Sequence, residues 1–214
     1  DGDGRNDVIG ANKGASDIVD PDAPRADRTT SLFTIGGDPL NPDGWYEQVL
    51  LARDVPNTAM PVDIDADSDL DMLAAARLDQ VAYILENRGT GADGKVSIAL
   101  HAIAIDDSAL AGCSVATSAF QSAFRDLDGD GRLDLVTGVF EKCGDPRAPG
   151  GLPALGWLQQ PATLDQPWRY HRIGDILPDM VIAVELADLD GDGDLDAITG
   201  GYSGLNILKG GYTG

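Results

Sequence analysis

Asp126-Leu-Asp-Gly-Asp-Gly-Arg-Leu-Asp134 packs four aspartates and two glycines into nine residues. Three other stretches repeat it. They are Asp188-Leu-Asp-Gly-Asp-Gly-Asp-Leu-Asp196, Asp63-Ile-Asp-Ala-Asp-Ser-Asp-Leu-Asp71 and, from the third place onward, Asp1-Gly-Asp-Gly-Arg-Asn-Asp7. Their last aspartates stand 64, 63 and 62 residues apart. A period this constant marks a repeat architecture, in which each unit is one supersecondary motif.

The repetition extends into the apolar residues on either side. Each loop is followed by a short run ending in small residues: Val8-Ile9-Gly10-Ala11, Met72-Leu73-Ala74-Ala75, Leu135-Val136-Thr137-Gly138 and Ala197-Ile198-Thr199-Gly200. A second strand is predicted over Ser31–Ile35, Val81–Glu86, Ala154–Leu158 and Leu205–Lys209. A third closes on Gln48-Val49-Leu50, His101-Ala102-Ile103 and His171-Arg172-Ile173. A fourth leads into the next loop over Thr58–Ile64, Ser118–Arg125 and Val181–Leu189. Short strands, turn residues between them and no helical period indicate an all-β chain. Four strands in roughly sixty residues is the size of one β-propeller blade.

On this reading residues 58–105 and 117–176 are complete blades, flanked by incomplete blades over 1–57 and 180–214. The two end pieces duplicate the same strands, so they do not combine into one closing blade. The chain therefore reads as a partial propeller, continued by further blades to about six to eight in all. A closed four-bladed ring is the alternative.

The loop chemistry points to a cation. Alternate spacing turns successive carboxylates inward, glycine at the sixth place permits a sharp turn, and the seventh residue offers its carbonyl. The ligand sets so predicted are Asp1, Asp3, Arg5 and Asp7; Asp63, Asp65, Asp67, Asp69 and Asp71; Asp126, Asp128, Asp130, Arg132 and Asp134; and Asp188, Asp190, Asp192, Asp194 and Asp196. Arg5 and Arg132 fit only through their backbone oxygens. Calcium suits such loops because it accepts six to eight oxygens in tolerant geometry, so up to four calcium sites are expected. An EF-hand is rejected: its twelfth residue is a bidentate Glu between helices, and here that place is Thr137 or Thr199 in a strand-like run. The competing reading, solvated acidic turns without metal, leaves the carboxylates to repel one another at close range. Ser68 replaces the expected glycine, and a left-handed conformation there costs roughly 1 kcal/mol.

Composition agrees. Of 36 acidic residues only Glu47, Glu86, Glu141 and Glu185 are glutamates, and the formal charge is −21. Seventeen aspartates lie in the four loops, and four divalent ions would bring the charge to −13. The acidity opposes binding to nucleic-acid backbones or anionic membrane surfaces. The longest apolar runs, such as Val96–Ile105, are far short of a membrane span. Cys113 and Cys143, the two cysteines, fall on adjacent connections on the face opposite the acidic loops. A disulfide between them is predicted, and with calcium it suits an extracellular, cell-surface or periplasmic setting.

The loops and the strands after them resemble FG-GAP/VCBS repeats, the calcium-binding blades of integrin α-subunits, fungal propeller lectins and bacterial surface proteins. Trp168-Arg-Tyr-His-Arg-Ile173 and the Tyr83–Gly89 segment are similar to the bacterial VCBS form. The resemblance spans essentially the whole chain, but its family covers adhesion, sugar binding and appendages to enzymes, so it implies fold more than function.

No catalytic constellation is visible: no HExxH helix, phosphate-cradling loop or Ser-His-Asp pattern. His101 and His171 occupy equivalent repeat positions, with Gln48 at the third, which favours a structural role. Trp157 and Trp168 are predicted to pack in the blades and Trp45 to be partly exposed, while Tyr202 and Tyr212 flank glycine-rich turns and suit either setting. The expected function is a non-catalytic extracellular module for adhesion, protein or glycan binding, or assembly. The alternatives are the propeller of a polysaccharide-active enzyme such as a lyase, and a structural subunit of a fibre. A partner is expected on the face opposite the calcium loops, at Asp22–Arg28, Asp106–Val115 and Lys142–Pro149, because connections held on a rigid scaffold carry binding residues.

Overall fold

The computed structural model describes residues 4–12, 28–52, 56–76, 79–117, 119–145, 150–175, 180–201 and 205–208. Among these residues the chain is all-β, with one 3-10 turn at Pro42–Gly44 and no α-helix. Its strands form four separate sheets, none closed into a barrel. Contacts divide it into two units, residues 1–102 and 103–214.

The first unit holds two antiparallel meanders. One runs β1 (Val8–Asn12), β2 (Thr29–Ile35), β3 (Trp45–Ala52). The other runs β4 (Pro56–Val62), β5 (Asp71–Ala76), β6 (Val81–Thr90), β7 (Val96–Ala102) in sheet order as in sequence. Every residue of β5 is buried, which explains why its sequence after Asp71 is continuously apolar rather than alternating: both faces are covered. Leu51 from β3 joins Met72, Ala74, Ala76, Tyr83 and Leu85 in one core, with Ile9, Leu50 and Ile98 packed against it. The Gln48 side chain ties β3 to β7, donating from Nε2 to Val96 O (2.7 Å) and accepting Val96 N–H on Oε1 (3.0 Å).

The second unit repeats the meander with additions. Strands β10 (Ala123–Arg125), β11 (Asp134–Lys142), β12 (Leu152–Gln159) and β13 (Trp168–Asp175) are antiparallel neighbours. The two-residue β8 (Ile105–Asp106) adds in parallel to the outer edge of β13. The fourth strand differs from the expected Ser118–Arg125: it is reduced to β10, and β9 (Ser114–Thr117), in the stretch expected as a connection, precedes it on the same partner β11. Buried hydroxyls occupy the break: Thr117 Oγ1 donates to Gly138 O (2.8 Å), and Ser122 Oγ to Thr137 Oγ1 (2.9 Å). A last sheet comprises β14 (Val181–Ala187), β15 (Asp196–Gly201) and β16 (Leu205–Leu208). It shares with the preceding sheet a core of Val136, Leu155, Trp157, Val181, Val184 and Ala197. Gly138 permits this approach, since a Cβ there would lie 2.6 Å from Val181 Cβ.

The register of β9 on β11 sets Ser114 opposite Lys142. The predicted disulfide follows one step further on, linking Cys113 to Cys143 with their Cα atoms 4.2 Å apart. Trp157 and Trp168 are buried, at 7% and 0% exposed, and Trp45 is half-buried. Tyr202, Tyr212, residues 22–27 of the expected docking segment 22–28 and residues 146–149 of the segment 142–149 lie outside the described residues.

Candidate metal centres

The acidic loops at 63–71, 126–134 and 188–196 each join the fourth strand of one repeat to the first strand of the next, so their ends are fixed by a β-ladder. Val62 pairs with Asp71, Arg125 with Asp134 and Ala187 with Asp196. The ninth-place aspartate is therefore the first residue of a central strand and is buried: Asp71 is 2% exposed, Asp134 0% and Asp196 2%. Backbone amides hold it. Asp71 accepts from Ile64 N (2.9 Å) and Asn87 N (2.7 Å). Asp134 accepts from Leu127 N (3.0 Å) and Gln160 N (2.9 Å). Asp196 accepts from Leu189 N (3.0 Å).

The first-place aspartate closes the loop from the other side. Gly131 N donates to Asp126 (2.9 Å), Gly193 N to Asp188 (3.1 Å) and Ser68 N to Asp63 (3.2 Å). These bonds require the sixth residue to be left-handed: φ is 87° at Gly131, 94° at Gly193 and 77° at Ser68. The fourth residue is left-handed as well, including Ala66 at 61°. The loop without glycine thus adopts the glycine conformation.

Among the described residues three carboxylates converge in each of three loops. Asp63, Asp65 and Asp71 form one group, Asp126, Asp128 and Asp134 a second, and Asp188, Asp190 and Asp196 a third, with ligand oxygens within 4.8 Å of one another. An ion about 2.3–2.6 Å from each oxygen fits between ligands at such separations. The donors are all hard oxygens, and Asp63 Oδ1 and Asp69 Oδ1 are buried without a partner. These features fit a cation. The fifth-place Asp67, Asp130 and Asp192 stand outside the convergent groups, and Asp130 pairs instead with the Arg132 guanidinium. Asp1 and Asp3 lie outside the described residues. Arg5, at the seventh place of that first loop, donates its guanidinium to Ile35 O (3.1 Å).

The charges feel the confinement. Burial, opposed by its two backbone hydrogen bonds, pushes the Asp134 carboxyl up to about 6. Burial also raises Asp71. Asp65 and Asp69 are raised by partial burial and then by Asp67 beside each. Protons are thus favoured where positive charge is needed.

Two side chains that sequence reasoning did not connect to the loops adjoin them. Gln159, at the end of β12, donates from Nε2 to Asp128 Oδ2 and lies 3.1 Å through Oε1 from His171 Nε2. Glu86 in β6 occupies the matching place, with His101 Nε2 and the Arg88 guanidinium each 2.7 Å from its Oε2. Each stands just before the residue whose amide binds the buried aspartate, Asn87 or Gln160, a correspondence that strand register and not residue type reveals.

No protein family, curated protein or solved structure matches the chain. Fold and site together define an all-β protein with repeated aspartate groups that can hold metal ions.

Proposed function

We propose that this chain is part of a calcium-stabilised β-propeller of the FG-GAP/VCBS kind, serving as a non-catalytic extracellular module for adhesion, protein or glycan binding, or assembly. The observation that carries the proposal is the recurrence of one aspartate group at one structural place in three successive repeats, always between two paired strands. A metal used only once can be catalytic; one placed at every repeat joint supports the scaffold. The third, fifth, seventh and ninth places of the loop at 1–7, Asp1, Asp3, Arg5 and Asp7, belong to the same scheme, with Arg5 contributing its carbonyl.

Calcium is favoured over magnesium because the loop supplies many oxygens at flexible spacing, whereas magnesium keeps its waters in a strict octahedron. The Cys113–Cys143 disulfide supports residence in an oxidising compartment. It also braces the connections at 107–113 and 143–145, which supports that face as the place where a partner docks.

Chelation tests the reading. A ligand bound only by the folded state stabilises by about 2.7 kcal/mol per site at a hundredfold excess over Kd. Melting temperature should fall sharply in excess chelator and return with calcium but not with magnesium. An unchanged melting temperature would sink the metal reading.

A further inference from the structure

The two histidines of the chain, His101 and His171, hold equivalent positions on the outer strands β7 and β13. His101 pairs across the ladder with Ile84, and His171 with Trp157. Two residues beyond each ladder partner stands the side chain that the histidine contacts, Glu86 in one repeat and Gln159 in the other. The next residue along donates its backbone amide to the buried ninth-place aspartate, Asn87 to Asp71 and Gln160 to Asp134. The arrangement is therefore the same device built twice, with a carboxylate exchanged for an amide.

The chemistry of the exchange is one-sided. Gln159 donates to Asp128, so its Nε2 is spent on the loop and its Oε1 must accept from the histidine. That fixes the protonated nitrogen of His171 as Nε2, while the ring itself is stacked on Trp157 with centroids 4.0 Å apart. Glu86 has no proton to offer Asp65. It turns toward His101 and Arg88 instead, and its charge adds to the repulsion felt by Asp65. A cation between the loop aspartates relieves that repulsion; a neutral amide leaves none of it to relieve.

We infer that His171 with Gln159 is a positioning pair for the third-place aspartate Asp128, that His101 instead holds Glu86 as a charge acting on Asp65 without bonding it, and that the carboxylate-for-amide exchange between the two repeats tunes the cation affinity of each loop separately. The inference rests on the metal reading proposed above.

The experiment is a calcium titration of the whole chain followed by NMR. The amides of Ser68 and Gly131 report their own loops, because each donates to the first-place aspartate. The two imidazoles report the two histidine pairs. Glu86→Gln should weaken the 63–71 loop about tenfold, and Gln159→Glu should tighten the 126–134 loop by a similar factor. That is the size of one unit charge acting on a divalent ion in a partly solvated setting. Both replacements keep side-chain shape, and a urea melt of each variant without metal checks that it still folds. Calcium should also shift the His171 ring resonances in the wild type and leave them still in Gln159→Ala, a response that a purely structural glutamine would not control. Affinities that do not move in opposite directions, or a His171 response that survives Gln159→Ala, overturn the inference while calcium still binds. If no loop amide responds to calcium in the wild type, the metal reading fails and this inference fails with it.

Discussion

The loops at 63–71 and 126–134 hold their first, third and ninth aspartates in the same grouping, yet they are built from different materials. One has Ala66 and Ser68 where the other has Gly129 and Gly131, and all four are left-handed. In the glycine loop Asp126 Oδ1 accepts from Gly129 N (2.8 Å); in the other, Asp63 Oδ1 is buried with no partner. The difference teaches that the flanking ladder and the buried ninth aspartate set the site. Glycine lowers the strain of the turn but does not define the grouping.

If so, the largest effects belong to the ninth place and should be alike in both loops. Asp134→Ala leaves the Leu127 and Gln160 amides without their acceptor, and Asp71→Ala does the same to Ile64 and Asn87. Unpaired buried donors cost about 1–3 kcal/mol each, so each variant should lose about 3 kcal/mol in denaturant melts even without metal. A loss confined to one loop would break the equivalence.

Exchanging the sixth residues should have a smaller and opposite effect in the two loops. Ser68→Gly is expected to stabilise by roughly 1 kcal/mol and Gly131→Ser to destabilise by a similar amount, because only the backbone preference changes. A Cβ at Gly131 meets nothing within 4 Å, so no clash confuses the comparison. Equal melting temperatures in all three proteins would show that the turn carries no strain.

The smallest effect is that of pH on metal-stripped protein. The folded state raises the Asp134 carboxyl from its ordinary 3.8 to about 6, so it favours the protonated form. The stability this group contributes is complete below about 3.8 and is lost as pH rises through about 6. Wild type should therefore lose stability relative to Asp134→Asn between pH 4 and 7, measured by urea unfolding at each pH. A relative gain over that window would reverse the burial argument.

Much of this was legible in the sequence because repetition supplied its own alignment. The loops, their period, the small-residue strands and the cysteine pair could all be placed from residue types alone. The site was legible in its aspartates but not in its economy: the fifth-place Asp67, Asp130 and Asp192 stand outside the convergent groups, and of these Asp130 is paired with Arg132. His101 and His171 were visible as equivalents, yet their link to the loops passes through Glu86 and Gln159, whose alignment depends on strand register. The shortening of the fourth strand to β10 was hidden because Ala119, at φ 32°, carries no glycine signal. The Thr117, Ser122 and Thr137 hydroxyls that compensate the break look like ordinary strand residues.

Strand β8 has one more consequence. It is only two residues long, yet it lies along the exposed side of β13, where Trp168 N donates to Ala104 O (2.7 Å) and Ile105 pairs with Trp168. An outer strand normally offers a row of open amides and carbonyls to any passing chain, the template from which runaway sheet growth begins. Here the connection entering the repeat has already claimed the start of that row. The same short detour that carries the chain from one sheet to the next also guards β13 against recruitment into an aggregate.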